Sequence, residues 1–152
     1  MNLDNLKLIV VPTDFSEPSA IALRAAVRLA QLFGAPIEVL HVDINPSLVL
    51  PPPIDLLSVS FVFESVVPGT AERLERIVAE ARQAGVVCTS ASEVGRSYAA
   101  IVEHARRTGA GLIVIGSHGR HGLSHLLLGS VAEKVVEHAP CAVLVVPVSP
   151  DA

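Results

Sequence analysis

The sequence predicts an α/β fold, a doubly wound parallel sheet of five strands with helices on both faces, and three observations predict it. Five short β-rich runs alternate with four helical patterns along the chain, the order expected of βαβ units. Runs one, four and five are continuously apolar, as strands buried on both faces are. The 152 residues are 51% apolar and only 17% charged, yet hold no Trp, one Tyr and four Phe. An aliphatic core of Val, Leu, Ile and Ala is the usual filling between a sheet and its covering helices. The length suits a single domain over residues 1–152.

Each element has its local reason. Residues 6–11 (LKLIVV) make the first strand, ended by Pro12. Ser16 and Glu17 with Pro18 open a helix that runs to Phe33, where Gly34 stops it. Leu23, Val27, Ala30 and Phe33 recur at helical spacing and make its predicted apolar stripe. Residues 37–42 (IEVLHV) are the second strand. Residues 70–84 are helical, striped by Leu74, Ile77, Val78 and Ala81 and ended by Gly85. Residues 86–94 read as a third strand with partial alternation. Ser97 caps a third helix over residues 97–108, closed by Gly109. Residues 111–115 (GLIVI) are the fourth strand. Ser130 opens a fourth helix that Pro140 stops after His138, and residues 142–146 (AVLVV) are the fifth strand. Cys88 and Cys141 lie far apart in apolar, strand-like surroundings and read as buried reduced thiols.

Charge and hydropathy narrow the functional classes. Eleven Lys and Arg against fifteen Asp and Glu leave a net charge of −4. With no basic stripe, no stacking-aromatic motif and no zinc-finger spacing, the chain is not expected to bind nucleic acid. Mean hydropathy is +0.55, but the longest apolar stretches fall short of the ~20 residues of a spanning helix, so no membrane partner is expected. Residues 1–7 carry two Asn and an Asp where a signal peptide has its positive region. The expectation is a soluble, cytoplasmic protein.

Residues 43–69 break the rhythm. They contain Pro46, Pro51, Pro52, Pro53 and Pro68, yet also Leu48, Val49, Leu50, Leu56, Leu57, Phe61 and Phe63. A plain linker is more polar. An irregular insertion of this length is read either as a lid or partner contact or as apolar residues tucked onto the domain's own surface.

Ligands of a doubly wound sheet sit outside the carboxyl ends of the strands, where the strand order reverses. After strand one comes Pro12-Thr13-Asp14-Phe15-Ser16, and after strand four comes the run from Gly116 through Gly119, Arg120 and Gly122 to Gly129 and Ser130. Glycines at 116, 119 and 122 free the backbone for positive φ and close approach to a ligand. Gly129 and Ser130 lie at a helix N-terminus, whose unpaired N–H groups and dipole favour an anion, so loop and helix end together suit a phosphate. Ser130 and Glu133 also have capping-box spacing, so a purely capping role for Ser130 is compatible with the same residues. Rival nucleotide motifs are missing: there is no G-x-x-x-x-G-K-[ST], and no G-x-G-x-x-G follows strand one.

The spacing Gly116-x2-Gly119-x9-Gly129-Ser130 resembles the G-x2-G-x9-G-[ST] signature of the universal stress protein family. The opening Val11-Pro12-Thr13-Asp14-Phe15-Ser16 and the closing His138-Ala139-Pro140-Cys141, followed by AVLVVP, are similar to that family too. The resemblance implies strand order 3-2-1-4-5 and a homodimer through the last strand, here residues 142–146. It also implies binding of ATP, with Mg or Mn on the phosphates. By position, Asp14 would meet the adenosine, with Pro12 and Thr13 beside it, and Val42 would line the adenine pocket. Gly116, Gly119, Gly129 and Ser130 would hold ribose and phosphates, and Val131 would present a backbone N–H.

The departures are specific. Arg120 supplies one cation in the glycine loop, but His125 stands where the family commonly has Arg or Lys. An unperturbed imidazole is mostly neutral above pH ~6.5, which weakens attraction for phosphate. His118, His121 and His125 have metal-like spacing, but with no Cys in the loop and no nearby carboxylate they read as solvent-facing or phosphate-adjacent imidazoles rather than a zinc site. ATP hydrolysis needs a group to orient water, and Asp14, the one obvious base, is assigned to adenosine. The expected function is therefore an ATP-binding stress-response regulator, with no catalytic residue. A non-nucleotide interaction module of the same fold and a slow ATPase are the alternatives.

Overall fold

The computed structural model describes residues 6–44, 69–118 and 128–148. The elements in chain order are β1 (Ile9–Thr13), α1 (Glu17–Phe33), β2 (Ile37–Ile44), α2 (Thr70–Gln83), β3 (Cys88–Gly95), α3 (Ser97–Thr108), β4 (Leu112–Gly116), α4 (Ser130–His138) and β5 (Ala142–Val146). The strands form one sheet in the order β3-β2-β1-β4-β5, with every pairing parallel. This is the fold class the sequence predicts and the strand order the family resemblance implies.

The two-residue period of the strands sorts the core into two layers. Ile9 and Val11, Ile37 and Val39, and Leu112 and Val114 face one way, against Ala22, Ala26 and Ala30 of α1 and Leu74, Val78 and Ala81 of α2. Val10, Leu40, Ile113 and Ile115 face the other, against Ile101 and Ala105 of α3 and Ala132 and Val135 of α4. The apolar stripe of α1 differs from its periodicity-based assignment. Its buried line is Ser19, Ala22, Ala26 and Ala30, whereas Leu23 and Val27 pack at its flank and Phe33 is exposed. The reason is volume: the central strands already fill the layer with branched side chains, so the helix above them approaches on its smallest residues.

Several element ends move. The third strand starts at Cys88 and the fourth at Leu112, each slightly later than the sequence suggests. Arg96, not Ser97, occupies the N-cap of α3, and Ser97 is its first helical residue. The helix stops at Gly34 and Gly109 hold as expected, with φ of 64° and 66° that favour glycine at the C-cap. Both cysteines are free, and burial pushes both thiols up from their ordinary pKa.

The shift in β1 decides where the sheet opens. The strand begins at Ile9 and runs through Pro12 to Thr13, instead of ending at Pro12. Ile9 N–H donates to the Pro36 carbonyl on the β2 side. In a parallel strand successive residues point their backbone groups to opposite neighbours, so the nitrogen of Pro12 falls on the β4 side. There the missing donor costs nothing, because β1 pairs with β4 only at Ile9–Leu112 and Val10–Ile113, while its pairing with β2 continues to Thr13–His41. Beyond Val10 the two central strands part, and a crevice opens at the switch in strand order.

On the α3 face, His104 is buried between two strands. Its Nε2 lies 2.7 Å from Glu38 Oε1 on β2 and its Nδ1 3.1 Å from Glu93 Oε1 on β3. Arg107 pairs with the same Glu93 carboxylate. Arg107 and His104 together hold the Glu93 carboxyl below its ordinary pKa. Helical spacing alone places His104 on α3 without indicating these partners.

Candidate functional site

The carboxyl ends of β1 and β4 and the start of α4 meet at the crevice through short backbone and hydroxyl contacts. Thr13 closes β1, and its Oγ1 accepts the N–H of Phe15 at 3.1 Å and shares a hydrogen bond with Ser19 Oγ at 3.1 Å. Asp14 follows, its Oδ1 accepting both the amide of Ser16 at 3.0 Å and the Ser16 hydroxyl. Ser16 is the N-cap of α1 by backbone conformation, yet its side chain serves Asp14 rather than the helix. The orphan donors of that helix start are eased by Pro18, which has no N–H to satisfy.

Partial burial raises the Asp14 pKa, but the Ser16 hydroxyl and amide and the Ser19 hydroxyl lower it further, so the group lies below its ordinary value. Asp14 is thus a carboxylate across the neutral range. Because the folded pKa is depressed, its contribution to stability is present above the unfolded pKa and is lost as pH falls through the folded one.

Gly116, the last residue of β4, does not have a positive φ, contrary to the role expected for it. Its glycine is needed for space. A Cβ there would stand 2.7 Å from the Pro18 carbonyl oxygen and 2.8 Å from its carbon. The first turn of α1, which begins three residues after Asp14, therefore lies directly on the end of β4.

The next residue, Ser117, continues the pairing to β5 through its N–H to the Val146 carbonyl at 2.9 Å. Its own carbonyl accepts the N–H of Gly129 at 2.7 Å. Gly129 is the N-cap of α4, at φ −63° and ψ 147°, and a Cβ on it would sit 3.0 Å from the same Ser117 oxygen. This bond pins the start of α4 to the end of β4.

Two expectations about α4 change in consequence. The Gly129 amide is engaged by Ser117, so it is not one of the donors facing a ligand. Ser130 is the first helical residue, not the cap, and makes no side-chain capping bond, so the Ser130–Glu133 pair is one position out of register for a capping box. The first intrahelical bond runs from Glu133 N–H to the Gly129 carbonyl. The amides of Ser130, Val131 and Ala132 have no acceptor within the helix, and the helix dipole adds its partial positive charge at the same end.

The structure thus gathers Pro12, Thr13, Asp14, Gly116, Gly129, Ser130 and Val131 at one end of the sheet. Val42, half-buried on β2 and packed against the α3-side core, sits on the adjacent strand end. Gly119 and Arg120, with Gly122, His121 and His125, lie outside the described residues, as does most of the insertion at 43–69.

Two histidines join the site: His41, which motif spacing did not single out, and His118, the first of the loop's spaced imidazoles. His41 on β2 is buried, with Nδ1 2.9 Å from the Thr13 carbonyl and Nε2 3.3 Å from Asp43 Oδ1. His118 places Nδ1 2.9 Å from Ser117 Oγ, and its Nε2 is buried with no hydrogen-bond partner among the described residues. A donor or acceptor in that state is costly unless something else meets it. The sequence already flagged His118 by its spacing with His121 and His125 and by its place directly after a strand end. Among the described residues there is no group of three His, Cys, Asp or Glu that could hold a metal, and no helix long and apolar enough to cross a membrane.

The arrangement offers a carboxylate acceptor on one side and a row of helix-end amides on the other, a pairing suited to a ligand with hydroxyls at one end and negative charge at the other. Comparison with known proteins gives that chemistry a context. A model of the universal stress protein family matches residues 5–147. The chain is 37% identical over 147 residues to universal stress protein MJ0531 of Methanocaldococcus jannaschii, an alignment spanning 95% of this chain and 85% of that one. Its structure is similar to that of the hypothetical protein MJ0577 of the same organism, with TM-score 0.82, 29% identity, and 95% and 98% of the two chains covered. It is also similar to the universal stress protein from Archaeoglobus fulgidus in complex with dAMP, with TM-score 0.61, 26% identity, and 92% and 96% covered.

Proposed function

The chain belongs to the universal stress protein family, and from that premise we propose that it binds an adenine nucleotide, ATP, in the crevice between β1 and β4 and acts as a nucleotide-dependent regulator. One observation carries the reading. The Ser117–Gly129 bond holds the α4 N-terminus at the end of β4, where three successive amides have no intrahelical acceptor. Phosphate oxygens are the natural partners of such a helix end. The unpartnered His118 Nε2 offers a further polar contact, and the Archaeoglobus relative holds an adenine nucleotide on the same fold.

In this reading the Asp14 carboxylate accepts from ribose hydroxyls or the base edge, beside Pro12 and Thr13, while Val42 bounds the adenine. The Ser130 and Val131 amides and the Ser130 hydroxyl take the phosphates, with Gly116 and Gly129 keeping the floor of the crevice low. Gly119 and Arg120 are assigned to the same phosphate group by the family signature alone. Mg or Mn would ride on the phosphate oxygens, whose charge it offsets.

Calorimetric titration of the intact protein with ATP and Mg is expected to give saturable binding near one nucleotide per chain. No heat with ATP, AMP or dAMP would remove the proposal. The alternative, an interaction module whose glycines are scaffold, has one observation in its favour: backbone approach alone leaves no room for a Cβ at 116 and crowds one at 129.

The regulatory role includes a homodimer through β5. This strand closes one edge of the sheet with an apolar run, and its central Leu144 is 39% exposed. An open apolar edge is a pairing surface, and the opposite edge, β3, is broken up by Thr89, Ser90, Ser92 and Glu93. Sedimentation is expected to show a dimer that Leu144→Lys converts to a folded monomer. A wild-type monomer at high concentration would count against it.

A further inference from the structure

We propose that Phe15 is a positioning residue for Asp14: its ring, wedged among His41 and Arg73, holds a left-handed backbone that turns the Asp14 carboxylate into the crevice. The inference deepens the nucleotide reading above and rests on it for the identity of the ligand. Phe15 has φ 63° and is the one described non-glycine residue with positive φ. A bulky L-residue disfavours that conformation, because its Cβ crowds the backbone. Such an outlier at a strand end beside a binding crevice points to a task.

The surroundings show how the conformation is kept. The Phe15 ring lies 4.6 Å from the His41 ring at an interplanar angle of 34°, and the Arg73 guanidinium stands 4.9 Å from its centroid. His41 is anchored to the Thr13 carbonyl and to Asp43. Arg73 belongs to the first turn of α2, where its amide donates to the Gly69 carbonyl. The ring is therefore gripped by groups from β2 and α2, and a cation over an aromatic face is attractive in its own right.

The turn also explains what the conformation does. With Phe15 left-handed, the next amide turns back, and the Ser16 N–H donates to Asp14 Oδ1. A right-handed or extended Phe15 would swing the Ser16 amide away and release the carboxylate. Glycine would allow this path freely, but would also allow many others. Phenylalanine reaches it only with the ring clamped, so the clamp and the carboxylate are coupled.

The test compares Phe15→Gly, Phe15→Asn and Phe15→Ala in the full chain. All three lose the ring, so a packing role ranks them by size, with Gly last. A positioning role ranks them by tolerance of positive φ: Gly first, Asn next, Ala last. The first readout is the titration of the Asp14 carboxyl carbon by NMR, which needs no nucleotide. Phe15→Gly is expected to keep it below the ordinary carboxylate range, and Phe15→Ala to return it toward that range. The second is calorimetric affinity for ATP, expected to be about tenfold weaker in Phe15→Ala than in Phe15→Gly. If Ala equals or exceeds Gly in the Asp14 titration, the proposal is overturned. If the wild type binds no adenine nucleotide while the titrations keep the Gly, Asn, Ala order, positioning of Asp14 stands and the nucleotide reading alone falls.

Discussion

Gly116→Val is expected to destabilise the protein by about 3 kcal/mol, at the upper end of the overpacking range. For a chain of this size that lowers the melting temperature by roughly 6–12 °C. The cause is rigid: the nearest atoms to the new Cβ are the Pro18 carbonyl oxygen at 2.7 Å and its carbon at 2.8 Å, backbone of the first turn of α1. A flexible side chain could move aside, but a helix start wedged between Asp14 and the sheet moves only as a unit. Gly109→Ala is the control. Gly109 has φ +66° and nothing within 4 Å of the added Cβ, so its cost is the left-handed conformational term of about 1 kcal/mol. Urea unfolding of the two variants separates contact from conformation. Equal stability of Gly116→Val and wild type would mean that α1 does not press on β4 as described.

Gly129→Glu is expected to reduce ATP affinity by about a hundredfold or more while leaving the fold intact. Gly129 is the N-cap of α4, and its added Cβ stands 3.0 Å from the Ser117 oxygen and 3.4 Å from the His118 Cα, which puts the new carboxylate at the helix end proposed for the phosphates. A carboxylate within about 4 Å of a phosphate costs about 4 kcal/mol at an effective dielectric of 20, more than the ~2.7 kcal/mol of a hundredfold loss. The Ser117 backbone must give way to the new Cβ at a cost of about 1–3 kcal/mol, which the attraction of the negative charge to the N-terminus of α4 partly offsets. Ser130→Ala makes the contrast: with no capping bond to lose, its stability should be close to wild type. Calorimetry with ATP and thermal unfolding on both variants check the pair. Undiminished ATP binding by a folded Gly129→Glu protein would move the phosphates away from α4.

The two glycines also show how far a motif can be read. Their spacing identifies a family, and both do lie at the crevice, but each is present for a reason that spacing does not reveal. Gly116 makes room for Pro18, and Gly129 makes room for the Ser117 carbonyl while its own amide is already engaged. Positive φ, the usual explanation for glycine, applies to neither. It applies instead to Phe15, where composition offers no hint, because the cost of that conformation is offset by His41 and Arg73, residues 26 and 58 positions away in the chain.

By itself the sequence determined what depends on neighbours in the chain. Alternation of β-rich and helical runs, glycine at 34 and 109, and continuous apolar stretches are local signals, and they yield the helices, the parallel sheet and the loops at the carboxyl ends of its strands. Only the tertiary structure decided what depends on approach across the chain. It made Ala22, Ala26 and Ala30 the buried face of α1, since the strands beneath leave space for nothing larger. It carried β1 through Pro12, since the side that lacks a donor is the side where β4 has already turned away. It joined Thr13 to His41 and Ser117 to Gly129, because a backbone group buried at a strand end takes whatever partner the folded chain brings within 3 Å, and no periodicity encodes which one that is.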